Sequence, residues 1–311
     1  MTTNTDQISQ PVLEEARRRK ERQGRRGLFR EAPEIQPPRA IERRYRGELV
    51  RYVKAIEDDI RRLLIDRIPE LEQDRDQIME RADSWDEDVD QIITRLRRAS
   101  SQRSQELIAR LEERGRDISE WNRSRFKDSV RAVLGVDVFQ SGSIDGEWLR
   151  VEIRSWAREN ANLIESIPEQ MLTQVEGIAQ RGLRGGASGR DIAKDIRSRF
   201  GVTESRARLI ARDQVSKLNG QITKARNERL GVEMYIWRTS EDERVRESHR
   251  VMNGRLCRWD DATVYSDDGG ETWQSRASIG GVEEHPGENY QCRCGSSPQL
   301  DDVLDRLESE D

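Results

Sequence analysis

The 311-residue chain contains few of the side chains that build a large core or a catalytic centre. Aromatic residues make up 5% of the chain and hydrophobic residues 33%, which is less than one compact core of this length normally uses. There are three cysteines and two histidines. This composition predicts one modest globular domain together with helices that bury only a narrow apolar stripe.

The sequence also lacks the segments that target a protein to a membrane or an export pathway. The first thirty residues contain no apolar run of the signal-peptide type. No stretch approaches the ~18 apolar residues that a membrane span needs. Three cysteines cannot all pair, and a disulfide between Cys292 and Cys294 would be strained, so a reduced environment is predicted. We therefore expect a protein that is made in a cytoplasm and has no membrane partner.

Charge is abundant but is not dominated by one sign. The chain has 55 basic and 60 acidic residues and a net charge of -5, and the two signs are interspersed, which favours solvated helix surfaces. An exception is the basic stretch from residue 17 to residue 30, which either contacts DNA or an acidic partner, or is simply a solvated tail. Together with three nearby prolines, this stretch predicts that residues 1–40 are disordered. The candidate contact residues are Arg17, Arg18, Arg19, Lys20, Arg25 and Arg26.

Apolar residues at three- and four-residue spacing predict helices over most of the chain. Residues 41–135 are predicted to form an extended helical region and residues 147–231 a second one, with helix ends before Pro168 and before an N-cap at Thr203. Residues 232–237 alternate as in a strand. Shorter strands are expected around residues 256–259 and near Val282. Residues 232–298 are thus predicted to be a small α+β unit, and residues 299–311 an acidic tail. The predicted fold class is mainly α, with an elongated multi-helix N-terminal and middle region and a small C-terminal α+β domain.

The chemically distinctive side chains are concentrated in the last quarter of the chain. The predicted strand ends in a tryptophan, and a D-x-R-V-R-x-x-H segment follows at residues 242–249. A glycine comes five residues later, and a C-R-C segment closes the region. The motif residues are Trp237, Asp242, Arg244, Arg246, His249, Gly254, Cys292, Arg293 and Cys294.

One interpretation of these residues is a zinc site. Zinc favours tetrahedral nitrogen and sulfur ligands, and a metal often closes a small domain that has a poor core. The candidate ligands are His249, His285, Cys292 and Cys294, with Cys257 as a fifth. The C-x-C spacing argues against zinc, because the usual knuckle has two or more residues between its cysteines.

Two other interpretations use the same residues without a metal. A Cys–His pair, or Asp242 or Glu243 with His249, would suit hydrolysis, but no motif supplies the rest of a catalytic site. Alternatively, Asp242, Arg244, Arg246 and His249 form a charge-assisted network that Arg293 joins, while the cysteines are small buried residues. We favour this structural interpretation, which predicts no catalytic residue and no cofactor.

These motifs, in this order, resemble those of the phage head morphogenesis proteins, the Mu F-like minor capsid proteins. Two upstream segments, residues 156–164 and 207–215, also resemble family segments, so the resemblance extends over roughly residues 147–298. The family usually has an acidic residue at the position of Gln214, and often an aromatic residue at that of Cys257.

The resemblance implies a minor capsid protein of a tailed bacteriophage. Members of the family act during procapsid assembly in the host cytoplasm, associate with the portal and remain inside the virion. The implied partners are the portal protein, the major capsid or scaffolding protein and, for some members, packaged DNA, whose ejection they influence. The alternative is a zinc-dependent hydrolase or a delivered effector enzyme that uses His249, Cys292 and Cys294. Some members carry a toxin domain after the C-R-C segment, and none is expected in this chain.

Overall fold

A computed structural model describes residues 31–77, 84–139 and 144–300, together with Arg18 and Val303. Of the predicted basic contacts, Arg18 is an exposed helical residue. The other five lie outside the described residues, as does nearly all of the predicted acidic tail. The segment from Glu31 to Pro38 is described, and its residues Ala32 and Ile35 are buried. The prediction of disorder up to residue 40 is therefore wrong for this segment, because its apolar side chains enter a core.

Helices make up most of the described chain, because apolar residues at helical spacing give each one a face to bury. A short 3-10 turn at Ile65–Arg67 separates the first two of them. The helices are α1 (Arg39–Leu63), α2 (Ile68–Gln77), α3 (Ser84–Ile108), α4 (Leu111–Leu134), α5 (Glu147–Arg184), α6 (Gly189–Leu230) and α7 (Glu247–Arg250).

Two helix ends predicted from local signals are absent. Helix α5 continues through Pro168, where Ile164, Ile167, Met171 and Leu172 are all buried, so packing on both sides outweighs the missing backbone donor. Helix α6 continues through Thr203. The Thr203 hydroxyl donates to the Arg199 carbonyl 3.1 Å away, one turn back in the same helix, instead of capping a new one.

The sheet is small and antiparallel, with strand order β2–β1–β5. Strand β1 is Met234–Arg238, as its alternating pattern predicts, β2 is Leu256–Arg258 and β5 is Gly295–Gln299. Two-residue strands β3 (Val264–Tyr265) and β4 (Gln274–Ser275) form a second ladder. The predicted strand near Val282 is wrong, since that residue lies in a loop. The backbone of Ile35 bridges to Ser296 of β5 and extends the sheet at its edge.

The described chain divides into two compact units, each made of separated stretches of sequence. The first unit contains the described parts of residues 1–41, 114–155 and 213–311, and the second contains the described parts of residues 42–113 and 156–212. These units do not follow the consecutive segments predicted from sequence, because α4, α5 and α6 each contribute residues to both. The sheet and all the motif residues belong to the first unit.

The predicted fold class is confirmed, since the chain is mainly α with a small α+β part at its C-terminal side. Within the described residues, none of the helices has the length and apolarity required to cross a membrane. The first unit has one apolar cluster around Ile35, Phe126 and Leu230, and another around Tyr235, Trp237 and Met252. The second of these clusters contains all three cysteines and surrounds the motif residues.

Candidate functional site

Strand β1 runs through the site, and its residue Trp237 fixes the position of the strand. The indole is fully buried. The backbone of Trp237 receives a hydrogen bond from the Gly254 N–H and donates one to the Arg255 carbonyl, both at 2.9 Å. Gly254 has a φ of 80°, a conformation that favours glycine. The Asn253 side chain then accepts the Thr239 N–H at 2.9 Å. The Asn-Gly turn therefore returns the chain to the end of β1.

An arginine–carboxylate pair joins the segment after β1 to the C-R-C segment. Arg293 contacts Asp242 through two nitrogens, at 2.8 and 3.2 Å, and the same carboxylate accepts the Arg244 N–H at 3.0 Å. Arg246 donates to the Tyr290 carbonyl at 2.6 Å. Of the predicted charge network, Asp242 and Arg293 thus form an ion pair, while Arg246 makes a separate bond to the loop before the C-R-C segment. Arg244 contacts Asp242 through its backbone, and its side chain is exposed.

His249 lies elsewhere, in a cluster with the two motif cysteines. Its Nδ1 is 3.3 Å from Cys294 Sγ and 3.7 Å from Cys292 Sγ. The three residues are only 2–4% exposed, and the imidazole packs edge-on against the Trp237 ring, with ring centroids 5.9 Å apart. The cluster therefore lies against the buried side of strand β1, and its polar atoms face one another.

The sulfur of Cys292 is the common acceptor of this cluster. It receives backbone N–H groups from Gly287 at 3.3 Å and from Cys294 at 3.4 Å. The Cys294 thiol, followed by His249, holds the pKa of Cys292 well below its ordinary value. The same contact with Cys292, together with burial, raises the pKa of Cys294. The arrangement therefore favours one thiolate, on Cys292, next to a retained thiol on Cys294.

His285, a predicted zinc ligand, belongs to a different buried cluster. Its Nδ1 lies 3.0 Å from the Tyr235 hydroxyl, and Arg276 donates to that hydroxyl at 3.2 Å. Burial lowers the pKa of His285 to about 3, with Lys224 and Arg276 adding to the effect. Burial also raises the pKa of Cys257 to about 11. The prediction that His285 and Cys257 join the other candidate ligands is therefore wrong, because the ligand atoms that the structure brings together are those of His249, Cys292 and Cys294, while His285 contacts Tyr235 instead.

The loop that carries the C-R-C segment is held against helix α6. The Gln291 N–H donates to Asp213 at 3.0 Å. A Cβ atom on Gly220 would lie 2.4 Å from the Pro286 carbonyl oxygen, and one on Gly287 would lie 2.6 Å from the Ser216 carbonyl oxygen. Helix and loop thus touch through their backbones, which only glycine permits at these two positions.

Comparison with known proteins agrees with the motif resemblance. Residues 173–297 match the profile of the family described as "Phage Mu protein F like protein". This part of the chain is therefore similar to the Mu F-like family. The matched region includes every motif residue from Trp237 to Cys294 and the upstream segment 207–215, while the segment 156–164 lies outside it.

A relative in Haemophilus influenzae, described as an uncharacterized protein, is 37% identical over 142 residues. The alignment covers 46% of this chain and 28% of that protein, so the chain spans less than a third of the relative's length. No solved structure matches the chain.

The segment that matches the family profile contains two fully buried arginines that the sequence interpretation missed. Arg276 donates to the carbonyls of Val264, Val282 and Glu284 at 2.9–3.3 Å and fixes the loops beside β1. The sequence gives no signal for this role, because the acceptors are backbone atoms.

Arg226, on helix α6, is the other missed arginine. It contacts Asp145 at 2.9 and 3.1 Å and Asn122 at 2.6 Å, and burial lowers its pKa to about 10. A signal for it existed in the sequence, since Arg226 lies one turn after Ile222 on the apolar face of the helix.

Proposed function

We propose that the protein is a minor capsid, head morphogenesis component of a tailed bacteriophage, which associates with the portal during procapsid assembly and stays in the virion. The observation that carries this proposal is the match of residues 173–297 to the Mu F-like family. The geometry is compatible with it, because most motif residues are engaged in contacts that hold a small domain together.

An enzymatic role has one specific observation in its favour, the buried contact between His249 and Cys292 at 3.7 Å. A thiol nucleophile needs such a base, but it also needs access to a substrate. Here Cys292 is 2% exposed, and two backbone N–H groups point at its sulfur. An open cavity of about 530 Å³ is lined by residues such as Pro33, Arg39 and Thr239, and contains neither member of the pair. The assembly role therefore fits the site better than hydrolysis or a delivered effector activity.

The proposed partners are the portal protein and the major capsid or scaffolding protein. In this proposal the chain assembles in the host cytoplasm and ends inside the capsid. The basic stretch between residues 17 and 30 would contact packaged DNA there, since clustered arginine and lysine neutralise phosphates without reading sequence. An influence on DNA ejection follows if that contact persists in the mature head.

The proposal is tested by co-expressing the chain with the portal protein of the same phage and purifying through a tag on the portal. We expect a complex that survives size exclusion, with a stoichiometry measured by light scattering. Two exposed apolar residues are suitable interface probes, Val151 at 53% and Val202 at 60% exposure. The substitutions Val151→Asp and Val202→Asp leave the cores intact, and the portal binding of each variant is compared separately with that of the wild-type chain. Failure of the wild-type chain to bind portal, capsid and scaffolding proteins alike would refute the proposal.

A further inference from the structure

The ligand atoms of His249, Cys292 and Cys294 are separated by distances typical of atoms that bind one metal ion. All three ligand atoms fall within 4.8 Å of one another, and the two nitrogen–sulfur distances are 3.3 and 3.7 Å. Tetrahedral zinc, with bonds of about 2.3 Å to sulfur and about 2.0 Å to nitrogen, places nitrogen and sulfur roughly 3.5 Å apart. The two observed nitrogen–sulfur distances bracket that value, as binding of one ion by the three atoms requires.

Backbone N–H groups stabilise one sulfur of the cluster in its anionic, thiolate form. The N–H groups of Gly287 and Cys294 both point at Cys292 Sγ, at 3.3 and 3.4 Å. Hydrogen bonds from backbone N–H groups favour a thiolate over a thiol, and a thiolate is the form that binds metal. The position of Gly287 is enforced, because its φ of 92° and its contact with helix α6 leave no room for a side chain. The acceptor site at Cys292 is therefore built by the fold.

The imidazole of His249 has no other polar function within the part of the chain that the structure describes. Its Nε2 is buried without a hydrogen-bond partner among those residues, and its Nδ1 faces the two sulfurs. Placing an imidazole in a buried site without pairing both nitrogens costs stability. A metal bond to Nδ1 would give that nitrogen a stronger partner than a weak N–H···S contact does, with the ring proton carried by Nε2.

The C-x-C spacing, which argued against zinc at the level of sequence, suits this geometry. Arg293 reaches Asp242, and the cysteines on either side of it both reach His249. Gln291, just before the segment, has a φ of 55°, and the Cys292 N–H closes a turn onto the Asn289 carbonyl at 3.0 Å. The tight turn thus supplies the reversal that a longer spacing provides in other knuckles.

We propose that His249 Nδ1, Cys292 Sγ and Cys294 Sγ bind a Zn²⁺ ion, with the fourth position taken by water. Binding releases the thiol protons and replaces mutual hydrogen bonds with three metal bonds. The ion would hold the C-R-C segment to helix α7. This site does not depend on the phage role, so either proposal can fail alone.

The direct test measures metal in the full chain, purified without chelator after expression with added zinc. We expect about one zinc per chain by elemental mass spectrometry. Replacement with Co²⁺ should give sulfur-to-cobalt charge-transfer absorption together with the intense visible bands of tetrahedral coordination. Cobalt spectra need no substitution, so they remain informative if a variant fails to fold. A zinc content near zero after incubation with excess zinc, with no charge-transfer band, would overturn the proposal.

Matched variants separate these ligands from the other cysteine and histidine. Cys292→Ser and His249→Ala should weaken zinc binding by roughly 100-fold or more. Substitution of residues that only contact the ligands of a metal already lowers metal affinity by about 10–100-fold. Cys257→Ser and His285→Gln, in the neighbouring cluster, should retain the metal. An equal loss of zinc binding in both pairs of variants would overturn the assignment of the ligands. A thiol titration of the denatured chain that finds one free thiol instead of three would also overturn it, since a Cys292–Cys294 disulfide cannot bind the ion.

Discussion

Substitution of Gly220 by alanine tests whether the backbone contact between helix α6 and the loop before Cys292 positions the cluster. The new methyl carbon would lie 2.4 Å from the Pro286 carbonyl oxygen. Ordinary contact begins about 1 Å further out, so the helix or the loop must shift by that amount. The obstacle is backbone on both sides, which cannot escape by a change of rotamer. We therefore place the cost near the upper end of the ~1–3 kcal/mol seen for overpacked cores.

Helix propensity opposes this cost and can be measured in the same helix. Alanine is favoured over glycine in a helix by about 1 kcal/mol, which leaves Gly220→Ala a net loss of about 2 kcal/mol. Gly201 is the matched control, because it lies in the same helix, is exposed, and has no atom within 4 Å of the position that a methyl carbon would take. Gly201→Ala should gain up to ~1 kcal/mol. The two variants should therefore differ by about 3 kcal/mol in opposite directions.

Urea denaturation followed by tryptophan fluorescence measures both free energies of unfolding. Hydrogen exchange at the Gly287 and Cys294 amides reports on the loop itself, and should quicken in Gly220→Ala only. A Gly220→Ala protein that is stabilised as much as Gly201→Ala would refute the reasoning. It would mean that helix and loop separate without cost, and that the loop is positioned by its own turn.

Three further predictions concern buried polar groups. The pKa of His285 falls from 6.5 to about 3 on folding, so below pH 6.5 the unfolded chain binds a proton that the folded chain does not. Stability should fall toward pH 3 by up to about 1.4 kcal/mol per pH unit, and urea curves of His285→Gln should lack that part of the slope. Arg226→Met should cost about 2–3 kcal/mol, because it removes the buried hydrogen-bonding partner of Asp145 and leaves that carboxylate only its ion pair with the exposed Arg123, whereas Arg150→Met, at an exposed ion pair, should stay within ~0.5 kcal/mol in the same assay. Tyr235→Phe removes one of the acceptors of Arg276 and the hydroxyl that contacts His285, and should lower the melting temperature through a loss of about 1–3 kcal/mol. An unchanged melting temperature would contradict that role.

The sequence predicts the parts of the fold that depend on local pattern. The apolar stripes locate the helices, and the alternation at residues 232–237 locates β1. Local signals mislead at Pro168 and Thr203, because the burial of neighbouring apolar side chains outweighs one proline or one capping residue. Strand β5 could not be predicted from its Gly-Ser-Ser-Pro composition, since it exists through its pairing with β1.

The candidate site shows the same limit of local information. Residue types identify His249, Cys292 and Cys294 as ligands that could act together, but forty-odd positions separate the histidine from the cysteines. Their convergence depends on the turn at Gln291 and on the glycine contact with helix α6. Nothing in the pattern distinguishes His249 from His285, because both follow polar segments. Only their contacts do so, since His249 meets the two motif cysteines whereas His285 meets the Tyr235 hydroxyl.

The bridge between Ile35 and Ser296 has a consequence for how the chain is made. The Ile35 N–H donates to the Ser296 carbonyl at 2.8 Å, and about 260 residues separate the two. At about 5–20 residues per second, a ribosome takes roughly 13–50 s to make the second after the first. For that interval the backbone of Ile35 has no β5 strand to pair with, and Ala32 and Ile35 can pack only on earlier members of their apolar cluster, such as Phe126. The first unit can be completed only after Ser296 has been made, so a ribosome that slows or stalls before that point would leave the Ile35 edge unpaired the longest.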